Sequence, residues 1–143
     1  MNRVLVSLLL LLSCQPNEKS GGFVLINENG KEELVKPDEY HVSMIKVISN
    51  PTIYDDKIIG VSGYLDLEFE MQALYLGKSD FDHNIYENSL CVEYADFPDL
   101  DSIKNLSGQY VRIVGRFDAD LTNMSLAQFG GFRNVLEIYR IEN

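Results

Sequence analysis

Apolar and polar residues alternate along the second half of the chain in a pattern that predicts β-strands. Within residues 58–69, one face carries Ile59, Val61, Leu65, Leu67 and Phe69, and the other carries Ser62, Tyr64, Asp66 and Glu68. Alternation of this length is typical of a strand with one buried face. Four further strands are predicted at residues 72–76, 90–94, 110–117 and 135–141. Gly60 and Gly63 interrupt the first strand, where glycine indicates a bulge or a sharp bend.

Two segments between the strands have the spacing of short helices. After His41, apolar residues recur at 42, 45, 47 and 48, and Asn50-Pro51 ends the pattern because the residue before proline avoids helical geometry. Residues 98–108 begin with acidic residues, carry apolar residues at 100, 103 and 106, and end in glycine. Residues 23–39 contain an apolar strand, a turn signal and a charged stretch that together fit a hairpin.

Five strands with a helix between the third and the fourth follow the plan of an OB-fold barrel. We therefore predict a mainly β chain with a five-stranded OB-fold-like barrel and one or two short helices. The predicted organisation is a signal peptide at residues 1–13, a lipidated cysteine and tether at 14–22, and the barrel domain at 23–143.

The first of these assignments comes from a short apolar run at the amino terminus. Arg3 supplies a positive charge, residues 4–12 are apolar except for Ser7, and Ser13 is small. A membrane-spanning helix needs about 20 apolar residues, whereas the apolar core of a signal peptide needs about 7 to 15. A signal peptide fits this run; the alternative is an ordinary buried strand or helix, with Cys14 as a small core residue.

The tetrapeptide Leu11-Leu12-Ser13-Cys14 resembles the lipobox of bacterial lipoproteins. The resemblance implies cleavage before Cys14 and attachment of fatty-acyl chains, including palmitate, to that residue, which then anchors the chain in a membrane of the cell envelope. Several acyl chains make such anchoring effectively permanent. Residues 15–22 are polar and rich in turn-forming residues, as expected of a tether. Because Gln15 replaces the Asp that often marks inner-membrane retention, the resemblance implies the outer membrane, facing the periplasm, in a cell that has one.

A second resemblance supports the fold. Residues 42–119 resemble a group of small bacterial OB-like domains that share the pattern NP-x-x-Y-x-G-K-x-x-x-V-x-G and a second strand of the ALYL type. Asp56 stands where that pattern has glycine, and Cys91 where it has a large aromatic residue. This resemblance implies an OB-like fold and no particular activity.

The charge of the chain limits its partners. Twelve Lys and Arg against 22 Asp and Glu give a formal net charge of −10. A field of this sign repels phosphate backbones, so we expect no nucleic acid as a partner.

Two motifs suggest a chemical role, but each lacks a residue or a neighbour that the role requires. Asp80-Phe-Asp-His-Asn84 has the opening spacing of a calcium loop, but Ile85 and Cys91 stand at the sixth and twelfth positions, where Gly and Glu are needed. The alternative is a helical turn capped by Ser79. Cys91 would be a nucleophile only beside a base such as His83 or His41; a lone Cys in an apolar strand is more typical of a core. We predict neither a metal nor a cofactor.

A ligand surface is predicted around Phe129-Gly-Gly-Phe-Arg-Asn134, taken as the loop before the last strand. In OB-folds that bind oligonucleotides, this loop contacts the ligand. The candidate ligand-binding residues are Tyr64, Tyr110, Arg112, Arg116, Phe129, Phe132 and Arg133. The alternative is a glycine bend whose phenylalanines close the end of the barrel.

The leading functional hypothesis is a cell-envelope lipoprotein whose barrel binds a protein, peptide or glycan without catalysis. A nucleic-acid-binding module is the second hypothesis, opposed by export and by charge. A Cys-dependent enzyme is the third.

Overall fold

The protein is described here by a computed structural model that covers residues 23–26, 32–35, 40–68, 72–93, 100–122 and 129–142. The predicted signal peptide, Cys14 and the tether lie outside these residues, as does Phe69. Strands β1 (Phe23–Ile26) and β2 (Glu32–Val35) pair antiparallel, with Phe23 opposite Val35, which confirms the hairpin expected near the start of the domain.

Five strands close into a barrel. They are β3 (Ile58–Asp66), β4 (Ala73–Tyr75), β5 (Ser89–Val92), β6 (Tyr110–Asp118) and β7 (Gly131–Arg140). The order around the barrel is β3-β4-β5-β7-β6, with β6 returning to β3, and every pair is antiparallel except β5 and β7. The prediction of a mainly β, five-stranded OB-fold-like barrel is confirmed.

The barrel interior follows from the alternation in β3 and β6. Val111, Ile113 and Phe117 of β6 are fully buried and belong to one apolar cluster with Val61 and Leu65 of β3. Removing these side chains from water is the main force that favours the closed sheet. The alternation fails at Asp66, which was expected on the polar face and is buried at the end of β3. Its carboxylate is kept paired there, because Oδ1 accepts a hydrogen bond from the Glu68 N–H at 3.0 Å.

Within the described residues, three α-helices of five or six residues flank the barrel: α1 (Met44–Ser49), α2 (Lys78–Asp82) and α3 (Leu100–Lys104). Helix α1 buries Met44 and Val47, while Ile45, expected on the buried face, is 60% exposed. Because α1 begins only at Met44, its buried face is set by the spacing of Met44 and Val47, which turns Ile45 outward. Helix α2 contains Ser79, so the residue that precedes this helix is Gly77 and not the predicted Ser79 cap.

Gly60 and Gly63 do not introduce the predicted bulge into the pairing of β3 with β6. The register of β3 with β6 runs without a shift from Ile58 opposite Arg116 to Tyr64 opposite Tyr110. The irregularities lie between β6 and β7, after Val114 and after Arg116. Gly63 instead lies where β3 meets β4: a β-carbon there would stand 2.4 Å from the Tyr75 carbonyl oxygen.

The seam between β5 and β7 closes the barrel. In the described part of the chain, this seam consists of two residue pairs, Cys91 with Gly131 and Val92 with Phe132. The Cys91 N–H donates to the Gly130 carbonyl at 3.0 Å, and the Glu93 N–H donates to the Phe132 carbonyl at 2.8 Å. Residues 131–134, predicted as loop, therefore belong to the last strand, because this stretch pairs with the end of β6 on one side and, at Gly131 and Phe132, with β5 on the other.

Candidate functional site

Four of the predicted ligand-binding residues share the outer face of the β3–β6 pair. Tyr64 of β3 and Tyr110, Arg112 and Arg116 of β6 all point away from the apolar interior, because they alternate with the buried residues of their strands. Their positions follow the register, in which Tyr110 lies opposite Tyr64 and Arg112 opposite Ser62. Strand alternation therefore turns these side chains outward, with Tyr64 and Tyr110 at one end of the β3–β6 pair and Arg116 at the other.

Tyrosines form a row across one end of this face. The register places Tyr110, Tyr64 and Tyr75 side by side on β6, β3 and β4. The Tyr64 and Tyr110 rings have centroids 5.2 Å apart and are tilted by 58°. Tyr110 is 38% exposed, so this end of the row presents an aromatic ring to solvent.

Arg112 occupies the next position along the face and is held in place by its neighbours. Its Nε donates to the Ser62 hydroxyl at 3.2 Å, and its Nη1 donates to the Tyr139 hydroxyl at 3.3 Å. The guanidinium also lies over the Tyr139 ring, 6.0 Å from the centroid, within the range of a cation–π contact. A guanidinium has five N–H donors, and these two hydrogen bonds use two of them. The aromatic row and Arg112 together form what we call the Tyr110–Arg112 face.

Arg116 and Arg133 lie instead in a cleft at the other end of the barrel. The cleft has a volume of about 350 Å³ and is lined by Asp55, Asp56, Arg116, Phe117, Asp118, Asp120 and Arg133. Arg116 Nη1 donates to both the carbonyl and the carboxylate of Asp56 at 2.9 Å, and Arg133 pairs with Asp118 at 2.5 Å. Both guanidiniums are thus neutralised by their own chain.

Asp56 stands where the resembled pattern has glycine, and it adopts φ = 59°. This is the left-handed region, which glycine enters freely and Asp tolerates better than most residues. The ion pair between Asp56 and Arg116 therefore holds a turn in a conformation that few side chains accept.

The two phenylalanines of the predicted ligand loop have different environments. Phe129 is 39% exposed, whereas Phe132 is fully buried and packs edge-on against Phe117 with centroids 6.1 Å apart. Phe132 thus closes the barrel interior, as the alternative interpretation of this segment expected.

A segment after β4 covers the outer face of β4 and β5. Phe81 of α2 contacts the rings of Tyr64 and Tyr75 at centroid distances of 6.4 and 5.9 Å, and Tyr86 lies 5.9 Å from Tyr75. Beneath them Tyr75 and Ser89 are fully buried. Burial, together with the neighbouring Tyr86, raises the pKa of the Tyr75 hydroxyl well above the ordinary value of 10.0. OB-folds commonly hold ligands on the equivalent strands, so here the chain fills that face itself.

The calcium-like motif belongs to this covering segment. The Asp80 carboxylate accepts a hydrogen bond from Asn88 at 2.8 Å, and the Asp82 carboxylate pairs with Lys78 at 2.7 Å. Asp80 and Asp82 thus stabilise the segment. Across the described ranges, no group of three His, Cys, Asp or Glu side chains converges as a metal site requires.

Cys91 is 4% exposed, and its thiol is free. The prediction of a buried thiol is confirmed. Burial, together with the negative charge of Glu93, raises the pKa of Cys91 from its ordinary value of 9.0 to about 11. A nucleophilic cysteine needs the opposite shift, because the thiolate is the reactive form. His83, one of the two bases considered, is exposed, with its Nδ1 2.8 Å from the Ser79 carbonyl oxygen.

Comparison with other proteins adds no assignment. The chain matches no model of a known protein family, and no curated protein matches its sequence. Among the residues that the structure describes, no helix has the length and hydropathy needed to cross a membrane.

The buried thiol gives a prediction that separates a core residue from a nucleophile. We expect Cys91 to react slowly with a maleimide in the native state and quickly after denaturation. Cys91→Ala should lose only about 1 kcal/mol of stability at neutral pH, as for the loss of one small buried group. Because the pKa is higher in the folded state, the unfolded state ionises first above pH 9.0 and wild-type stability falls as pH rises towards 11.

Chemical denaturation of the wild type and of Cys91→Ala between pH 7 and pH 10 measures how the difference in their free energies of unfolding changes with pH. The ionisation of all other groups contributes equally to both proteins, so a difference that shrinks as pH rises reports Cys91 alone. Rapid native labelling that begins well below the ordinary thiol pKa of 9.0 would contradict a buried, unactivated thiol.

Proposed function

We propose that the protein is a cell-envelope lipoprotein, anchored through Cys14, whose barrel is a non-catalytic binding module for a protein, peptide or glycan. The observation that carries the anchor is the tetrapeptide Leu11-Leu12-Ser13-Cys14 after a short apolar run. The polar stretch that follows it fits a tether to a domain whose first described strand begins at Phe23. We place the protein in the outer membrane, facing the periplasm, in a cell that has one.

The Tyr110–Arg112 face is our candidate for the binding surface. An exposed tyrosine beside an ordered guanidinium offers an apolar ring for stacking and charged donors for a carbonyl or carboxylate. Because Ser62 and Tyr139 already fix Arg112, little side-chain freedom is lost when a ligand binds. Peptides and glycans both combine apolar faces with such acceptors.

Three features oppose the nucleic-acid alternative. The net charge of −10 repels a phosphate backbone, and two of the predicted basic residues, Arg116 and Arg133, are paired with Asp56 and Asp118. The face of β4 and β5, which OB-folds commonly use for such ligands, is covered by Phe81 and Tyr86. The raised pKa of Cys91 opposes the third alternative, a cysteine-dependent enzyme.

The anchor is tested by growing cells with a fatty-acid analogue and measuring its incorporation into the protein. We expect label in the wild type and none in Cys14→Ser, which should remain uncleaved or leave the membrane fraction. The chain has only two cysteines, so Cys91→Ala is the matched control and should be labelled like the wild type. An unlabelled wild type, or a Cys14→Ser variant that is still processed and membrane-bound, would show that Cys14 is not the anchor.

The binding surface is tested by photocrosslinking in intact cells with a photoreactive phenylalanine analogue at position 110. We expect a defined adduct whose yield falls when Arg112→Ala removes the neighbouring donors. The same analogue at Ile85, which is 37% exposed on the segment covering β4 and β5, controls for general exposure. Equal adduct yields from positions 110 and 85, or a yield at position 110 that Arg112→Ala does not change, would exclude this face as the binding surface.

A further inference from the structure

Glu137 of β7 lies beside Arg112 on the outer face of the barrel. The register pairs Arg112 with Tyr139 and Val114 with Glu137, and it is regular from Val111 to Val114. Residues directly opposite each other in an antiparallel pair share a face, as do residues two apart in one strand. Glu137 is therefore a diagonal neighbour of Arg112, and the Cβ atoms of such neighbours lie roughly 7 Å apart.

The Glu137 carboxylate has no partner within the described part of the chain. It is partly buried, yet it forms no ion pair and accepts no hydrogen bond from another described residue. Burial raises the pKa of Glu137 above its ordinary value of 4.5, because water solvates the charge less well there. Since the unfolded chain ionises more readily, this carboxylate lowers the stability of the fold as pH rises above 4.5. Its presence is therefore not explained by the stability of the barrel.

Arg112 keeps unused hydrogen-bond donors next to this acceptor. Its guanidinium has five N–H groups, and the bonds to Ser62 and Tyr139 use two of them. No ion pair joins Arg112 to Glu137 among the residues that the structure describes. The face thus presents a charged donor and a charged acceptor side by side, which a ligand carrying both kinds of group can satisfy together.

A sugar carries this combination of groups. Each sugar hydroxyl donates one hydrogen bond and accepts others, and the C–H face of a sugar ring can pack on an exposed aromatic ring such as that of Tyr110. Peptides, by contrast, commonly bind along the edge of a sheet or as a helix in an apolar groove. Arg112 and Glu137 project from the face of the paired strands β6 and β7, so their position favours a glycan.

We propose that Glu137 makes the Tyr110–Arg112 face specific for a neutral glycan, with its carboxylate accepting hydrogen bonds from hydroxyls of the sugar that Arg112 contacts. The net charge of −10 favours a neutral sugar over an acidic one, because an acidic sugar would be repelled. This inference rests on the proposed binding role of the Tyr110–Arg112 face, and the test separates the two.

The test identifies what is crosslinked to position 110 and measures whether Glu137 is needed for it. The full chain carries the photoreactive phenylalanine analogue at position 110 in intact cells, and the proteolytic fragment that contains this position is analysed by mass spectrometry. Glu137→Gln keeps the shape of the side chain and removes its charge. Glu87→Gln, at an exposed glutamate in the 3₁₀ turn Tyr86–Asn88, is the matched control. The melting temperature of each purified, detergent-solubilised variant reports its stability.

We expect an adduct that releases sugar fragments, with a yield several-fold lower in Glu137→Gln and unchanged in Glu87→Gln. Because Glu137 is an unpaired, partly buried charge, Glu137→Gln should melt at the wild-type temperature or above it. A yield that falls only together with the melting temperature would make Glu137 a structural residue and overturn its role in binding.

The remaining outcomes separate the glycan from the binding face. An adduct that carries a peptide would overturn the glycan and keep the face as a binding surface. A sugar adduct whose yield is the same in Glu137→Gln would overturn the role of Glu137 alone. The absence of any adduct at position 110 would overturn the proposed binding face and this inference together.

Discussion

The closure of the barrel depends on a backbone approach that leaves no room for a side chain. Where β5 meets β7, a β-carbon on Gly131 would stand 2.3 Å from the Cys91 carbonyl oxygen and 2.6 Å from its β-carbon. Gly130 adopts φ = 86°, and a β-carbon there would stand 2.6 Å from the Asp118 carbonyl oxygen. Two successive glycines thus let β7 contact β6 and β5 together, and two residue pairs form the described part of that parallel seam. Closure in turn brings Phe132 against Phe117 and completes the apolar interior.

Closure also decides which outer surfaces the protein offers. The outer face of β4 and β5 is filled by Phe81 and Tyr86, which bury Tyr75 and Ser89. The cleft at the end of β6 and β7 is occupied by ion pairs that brace the turn at Asp56. Of the predicted site, Tyr110 and Arg112 keep an accessible ring and an ordered guanidinium together. This distribution leaves that face as the one to which we assign the proposed binding role, while the proposed lipid anchor rests on the sequence of the first fourteen residues alone.

The sequence predicted the features that depend on local periodicity. Val111, Ile113 and Phe117 alternate with polar residues, and such alternation leads to one buried face in any sheet. The start of β7 could not be predicted in this way, because Gly130-Gly131 is locally typical of a turn, whereas Gly131 begins the strand by pairing with Asp118 of β6 and Cys91 of β5. The prediction that Ile45 is buried was wrong for a related reason, because the face that a six-residue helix buries depends on the residue at which the helix begins.

The candidate site was predictable only in part, because pairing depends on distant residues. The shared face of Tyr64, Tyr110 and Arg112 follows from strand alternation. Arg116 and Arg133 are taken up by ion pairs with Asp56 and Asp118 and lie outside the Tyr110–Arg112 face. Those pairs depend on tertiary contacts, which strand alternation does not reveal. Phe81 and Tyr86 were missed as a cover because they lie in a polar stretch, KSDFDHNIYENS. The signal that could have indicated this cover is the pair of aromatic residues that follows the short apolar strand ALY, because aromatic side chains in a polar segment need an apolar surface to pack against.

The stability of Gly131→Ala compared with that of Gly60→Ala tests the central constraint most directly. Both glycines are buried in strands, but a β-carbon at Gly60 would find its nearest neighbour, Val114 Cγ2, at an ordinary 3.5 Å. Denaturant unfolding of residues 23–143 should show a loss of about 3 kcal/mol or more for Gly131→Ala, because the clash is with backbone and the seam must open. Gly60→Ala should be close to neutral. Equal, small effects of the two substitutions would contradict a barrel closed by the contact between Gly131 and Cys91.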